Sequence, residues 1–102
     1  ARAAGHLVTL DKIETAAGTL APRTSAELNF ELISKNVDEL VLVSDAEMKA
    51  AAEWLWEETG LSAELSGAAA HAALMTGKVS VPAGNTVAVI VCGAGTDGLP
   101  AA

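Results

Sequence analysis

The chain has 102 residues, 51% of them hydrophobic and 3% aromatic with no tyrosine, and thirteen acidic against six basic side chains leave a formal charge of −7. This length allows one domain at most, burying roughly 60–65% of its unfolded surface, and the composition excludes a disordered chain. The acidic balance, without a basic stripe or an aromatic platform, argues against nucleic acid as a partner. No apolar run approaches the roughly 20 residues that span a bilayer, so no membrane segment is expected.

Residues 1–6 lack the apolar core of a signal peptide, and the chain starts at Ala1 without a methionine, as a processed chain or an excised fragment would. Residues 1–23 read as an irregular segment. Leu7-Val8-Thr9-Leu10 could form a short edge strand, and the Gly18 and Pro22 surroundings read as loop. Thr24-Ser25-Ala26-Glu27 has capping-box spacing, so a helix is expected to follow, with Leu28, Phe30, Leu32 and Ile33 forming its apolar stripe and Lys35-Asn36 closing it. Leu40-Val41-Leu42-Val43 is a continuous apolar run of strand length, the pattern of a strand buried on both faces.

Ser44-Asp45-Ala46-Glu47 repeats the capping-box spacing. The helix it starts carries Met48, Ala52, Leu55 and Trp56 at helical spacing, and Gly60 is expected to close it in left-handed geometry. A third helix is expected from Gly67 to Met75, capped by Ser66 and ended at Gly77. It has almost no polar face and should therefore be buried all round. After a connector through Pro82 and Gly84, residues 86–92 form the second buried strand.

The expected fold class is thus α/β: a small parallel sheet with flanking helices, in the order helix, strand, helix, helix, strand over residues 24–102. Two doubly buried strands and an apolar helix need covering elements that 102 residues do not supply. The whole chain therefore reads as a single α/β unit that is part of a larger domain. Its open surfaces would be covered by an N-terminal portion or by a second subunit, which makes a homo-oligomer the expectation.

Chemistry concentrates where the second apolar run ends at Cys92 and enters Gly93-Ala94-Gly95-Thr96-Asp97-Gly98. Ligands of open α/β sheets sit at the carboxyl ends of strands. These glycines match the dinucleotide pattern G-x-G-x-x-G, but that motif needs a following helix, and only four residues remain after Gly98. No catalytic partner for Cys92 is identifiable, metal-ligand spacing is absent, and His6 and His71 read as exposed or packed histidines. A single cysteine can form no internal disulfide, which fits a reducing, cytoplasmic setting. Glu64 stands between two helix signals among small and apolar residues, with an exposed loop glutamate as the ordinary reading. Trp54 and Trp56 read as core or interface area.

Glu64-Leu65-Ser66-Gly67-Ala68-Ala69, followed 23 residues after Gly67 by Val89-Ile90-Val91-Cys92-Gly93-Ala94, resembles the C-terminal part of the serine/threonine dehydratases. These are pyridoxal-phosphate enzymes of fold type II, a group that also includes serine racemase. Asp38 to Asp45 and Thr15-Ala16-Ala17-Gly18 resemble further segments of that family, so nearly the whole chain is covered. The resemblance implies that Cys92 hydrogen-bonds the pyridine nitrogen of pyridoxal phosphate, that Glu64 lies near the cofactor, that Gly18 approaches the ring through its backbone, and that Gly93 gives the chain room to pass it.

The sequence departs from the family where Ala17 replaces an aspartate and where Gly95 stands in place of a frequent asparagine. Lys12, Lys35, Lys49 and Lys78 match none of the family's Schiff-base lysine context. The resemblance therefore implies the C-terminal portion of a serine/threonine ammonia-lyase that is inactive alone, with no catalytic residue of its own. The alternative is a stand-alone, non-catalytic α/β module that self-associates.

Overall fold

The computed structural model describes residues 4–17, 20 and 22–94. It contains three helices: α1 (Glu27–Asn36), α2 (Asp45–Thr59) and α3 (Leu65–Met75). Segment 45–58 contains no β-branched residue, glycine or proline, so nothing in it opposes helix. Its start is fixed as the spacing predicts: the Ser44 hydroxyl accepts from the Glu47 N–H at 3.1 Å, and the Glu47 carboxylate accepts from the Ser44 N–H at 2.8 Å. Gly60 ends the helix at φ 74°, left-handed geometry that costs glycine little. Its N–H donates to the Trp56 carbonyl at 3.0 Å.

The core lies between α2 and α3. Met48, Ala51, Ala52 and Leu55 form the buried face of α2, and they meet Leu65, Ala68 and Ala72 of α3, with Ala17 and Ala63 completing the cluster. Only Met48, Leu55 and Leu65 are large. The rest are alanines, which let the helices approach closely but remove little apolar area each. Trp54 and His71 meet across the pair with ring centroids 4.7 Å apart. The radius of gyration of 14.8 Å exceeds the roughly 13 Å of a compact domain of this length. The molecule is a slab 19 Å thin in its shortest direction.

The expected parallel sheet is not formed, because among the described residues there is no strand. Leu7–Leu10, the 40–43 run and residues 86–92 are all connecting segments. The physical reason is pairing: a strand is defined by hydrogen bonds to a neighbour, and neither apolar run finds one. Leu42 is 89% exposed and Ile90 77%. The runs that read as doubly buried are thus covered only in part: Val43 and Val91 pack against the core while Leu42 and Ile90 face outward.

Two helix starts also differ from expectation. α1 begins after Ala26, with no side-chain cap, and buries no residue. It is held by its own Glu31–Lys35 pair at 2.7 Å and by the Asn36 amide on the Leu32 carbonyl at 2.9 Å. α3 begins at Leu65 with Glu64, not Ser66, at the N-cap position, and its side chain makes no cap bond. Nor is α3 buried all round, since Ala70 and Met75 are exposed. Trp54 and Trp56 are likewise exposed, at 41% and 45%, outside the core. Among the described residues no helix is long and apolar enough to cross a membrane.

Candidate functional site

The first turn of α3 is where the distant Cys92 region arrives. Gly67, the third residue of α3, meets the main chain of Cys92 so closely that a Cβ there would lie 2.7 Å from the Cys92 carbonyl carbon and 3.2 Å from the Gly93 oxygen. Only glycine leaves that space. The Cys92 N–H donates to the Gly67 carbonyl at 3.4 Å, and the Glu64 N–H donates to the Gly93 carbonyl at 2.9 Å. The Ser62 hydroxyl adds a third tie, donating to the Ala94 carbonyl at 3.1 Å.

Gly93 turns this segment at φ 73°, left-handed geometry that disfavours side chains. The Glu64 carboxyl group folds over it, so that a Cβ on Gly93 would lie 2.9 Å from Glu64 Cδ. Three of the four residues expected at a site, Cys92, Gly93 and Glu64, are therefore neighbours. Glu64 is half-buried rather than a solvated loop glutamate, and Cys92 is a free, exposed thiol. Gly18, the fourth, lies outside the described residues, as do Gly95 to Gly98 of the dinucleotide-like motif.

A second constellation sits at the start of α2. The Asp45 carboxylate accepts from the Thr15 hydroxyl through one oxygen and from the Ala16 N–H at 2.6 Å through the other. The Thr15 hydroxyl also accepts from the Ala17 N–H at 3.0 Å. The Thr15 hydroxyl, and then the Ala16 N–H, hold the Asp45 carboxyl below its usual 3.8. Two residues on, Lys78 reaches from beyond α3 and donates to Glu47 and to the Leu42 carbonyl, both at 2.7 Å. Lys78, and then the Ser44 N–H, lower the Glu47 carboxyl from 4.5 to about 2.

Sequence reasoning missed Gly67, Thr15 and Asp45 as contributors. The Glu-x-Ser-Gly-Ala pattern contained the signal for Gly67, whereas nothing local couples Thr15 to a residue 30 positions away. Thr15, Ser44 and Asp45 line an open cleft of about 660 Å³ with Val41, Leu42 and Met48. Cys92, Gly93 and Glu64 do not line it. This cleft and the thiol-bearing turn are therefore separate features of the surface.

Three known proteins with similar sequences carry the names dehydratase or ammonia-lyase. The chain is 37% identical over 93 residues to the phenylserine dehydratase of Ralstonia pickettii, a match covering 91% of this chain and 28% of that protein. It is 36% identical over 83 residues to the L-threonine ammonia-lyase of Thermotoga maritima, covering 81% of this chain and 20% of that one. The biosynthetic L-threonine dehydratase of Bacillus subtilis is 33% identical over 87 residues, with shares of 85% and 21%. The chain thus spans between a fifth and three tenths of the length of these relatives.

Among solved structures, serine racemase from Dictyostelium discoideum superposes with a TM-score of 0.66 at 28% identity, over 76% of this chain and 24% of that one. The pyridoxal-phosphate dependent enzyme family matches residues 1–93, nearly the whole described chain, and the chain belongs to that family.

Proposed function

We propose that this chain is the C-terminal portion of a pyridoxal-phosphate-dependent ammonia-lyase that acts on a β-hydroxy-α-amino acid such as serine, threonine or phenylserine. The observation that carries the reading is the turn at Cys92-Gly93, docked through Gly67 on the start of α3 beside Glu64. The names of the three relatives add the substrate class, because all have a hydroxyl on the carbon next to the amino-bearing one.

The residues present suit one edge of the cofactor. Bound pyridoxal phosphate supplies an electron sink that lets the α-hydrogen and the β-hydroxyl leave, after which hydrolysis releases ammonia. Cys92 offers an exposed thiol that would hold the pyridine nitrogen of the cofactor by a hydrogen bond. Glu64 holds the turn through its main-chain N–H, and its carboxyl group blocks the far side of Gly93. Gly18 is assigned to the ring by the resemblance alone.

None of the four lysines suits the Schiff-base role. Lys12 and Lys35 pair with Glu14 and Glu31 on the surface, Lys49 is exposed, and Lys78 is committed to Glu47 and Leu42. The 102-residue chain by itself is therefore inactive. Incubation with pyridoxal phosphate and borohydride should leave no stoichiometric adduct at any one lysine, and a single fully modified lysine would refute this. In the complete enzyme, Cys92→Ser should keep threonine deamination, whereas Cys92→Ala should lower it about tenfold, the effect of losing one useful hydrogen bond.

The unit is completed by an N-terminal portion carrying the lysine and the phosphate loop, in a cytoplasmic homo-oligomer. The exposed side chains of Leu42 and Ile90 support covering by such a partner. They would also suit self-association of a non-catalytic module. Light scattering separates the two: a monodisperse dimer or tetramer of the 102-residue chain favours the module.

A further inference from the structure

The two apolar runs that lie outside the helices differ in how they meet water. The run 40–43 is short and hemmed by charge, with Asp38 and Glu39 before it and Asp45 after it. Its Leu42 carbonyl is already taken by the Lys78 ammonium at 2.7 Å. Lysine beside an open main-chain edge discourages a further chain from pairing there. The run 86–91 has no such guard, since residues 79–94 include no charged side chain.

This second run is also ready to pair. Ala88, Ile90 and Cys92 are exposed while Val89 and Val91 are half-buried, the period of two that an extended strand shows. Among the described residues no hydrogen bond reaches the main chain of residues 86–91, so its N–H and carbonyl groups are open on both edges. Thr86-Val87-Ala88-Val89-Ile90-Val91 is rich in β-branched residues, uncharged and free of proline and glycine, the composition of segments that stack on copies of themselves. Along it runs an apolar groove of about 300 Å³, lined by Ala70 and Leu74 of α3 together with Val79 and residues 87–90.

We propose that residues 86–91 are a pairing surface for a second copy of this chain, whose own 86–91 run docks edge to edge and lays its valines in the groove over Ala70 and Leu74. The run supplies both halves of the contact: unbonded donors and acceptors, and aliphatic side chains of a size suited to the groove. Charge selects the same place. Two chains of formal charge −7 repel each other, and the uncharged stretch is where they approach at least cost. Because the run is open on both edges, each added copy leaves a further edge free, and addition is open-ended rather than closed. The pairing does not depend on the cofactor.

Sedimentation velocity and amide exchange on the 102-residue chain test it, with Ile90→Lys as the disruptive variant and Leu42→Lys as its control. Both positions are exposed, at 77% and 89%, and both substitutions change the net charge equally. Between about 1 and about 100 μM the parent should grow in mass without reaching a fixed size. Exchange at residues 87–91 should slow about tenfold or more over that range. Ile90→Lys should remain a single chain throughout, and Leu42→Lys should assemble like the parent. Ala88→Pro removes one main-chain N–H without adding charge and should also stay single, which keeps the test decisive if Ile90→Lys loses helix by circular dichroism. A parent that is a single chain at every concentration would overturn the proposal. So would a closed dimer of fixed mass, assembly with unaltered exchange at 87–91, or equal loss of assembly in the two lysine variants.

Discussion

The starts of α2 and α3 are built on opposite principles. At α2, side chains do the work: Ser44 and Glu47 cap each other, Asp45 holds residues 15 and 16, and Lys78 joins from the far end of α3. At α3 the N-cap side chain makes no cap bond, and main chain from residues 92 and 93 lies over the first turn where Gly67 leaves room. One end is fastened by charge and the other by shape. Charge tolerates small displacements and answers to pH and salt, whereas shape answers to a single added carbon.

The largest expected effect is therefore at α3. Gly67→Ala forces a Cβ into the Cys92 main chain, displacing the 92–94 segment at a cost of about 1–3 kcal/mol. Urea denaturation together with faster exchange of the Glu64 N–H would measure it, and an unchanged Glu64 N–H would break the contrast. Gly93→Ala comes next, costing about 1–2 kcal/mol for left-handed backbone alone, before its contact with Glu64 is counted. At α2, Ser44→Ala should cost about 1 kcal/mol by the same denaturation measurement, less than either glycine change if shape dominates.

Proton linkage sharpens the α2 side. Glu47 titrates near 2 in the folded protein and at an ordinary 4.5 unfolded, so within that window the unfolded chain binds more protons. Its contribution to stability is complete above pH 4.5 and is lost as the pH falls towards 2. Asp45, also lowered, adds a loss that begins near its ordinary 3.8. The smallest effect belongs to Lys78→Met, which should raise the Glu47 midpoint, read by NMR titration, with little change in denaturation because the pair is partly exposed.

The same contrast explains what was legible in the sequence. The α2 start was readable because its two capping residues, Ser44 and Glu47, lie three apart, and Gly60 announced its end. α1 was placed within two residues, yet its apparent capping box at Thr24 is not used, because the helix starts after Ala26. The sheet was misread for a physical reason: apolar runs such as 40–43 state that they want cover but not that cover is present in the same chain. Cys92 and Gly93 stood out as the end of an apolar run and Glu64 by its place between two helix signals, but their cofactor roles came only through resemblance to a family. Their adjacency depends on Gly67 admitting main chain from 25 residues away, and spacing alone cannot express that.

The Trp54–His71 contact gives the molecule a built-in optical gauge. Indole emission responds to an imidazole at this range, and the two rings belong one to α2 and one to α3. The brightness of Trp54 should therefore follow whether the two helices are seated together, independently of what happens at residues 92–94. Trp56, on the same helix, provides an internal reference once each tryptophan is replaced by phenylalanine in turn. A titration with the N-terminal portion proposed above could then be followed by fluorescence without attaching a dye.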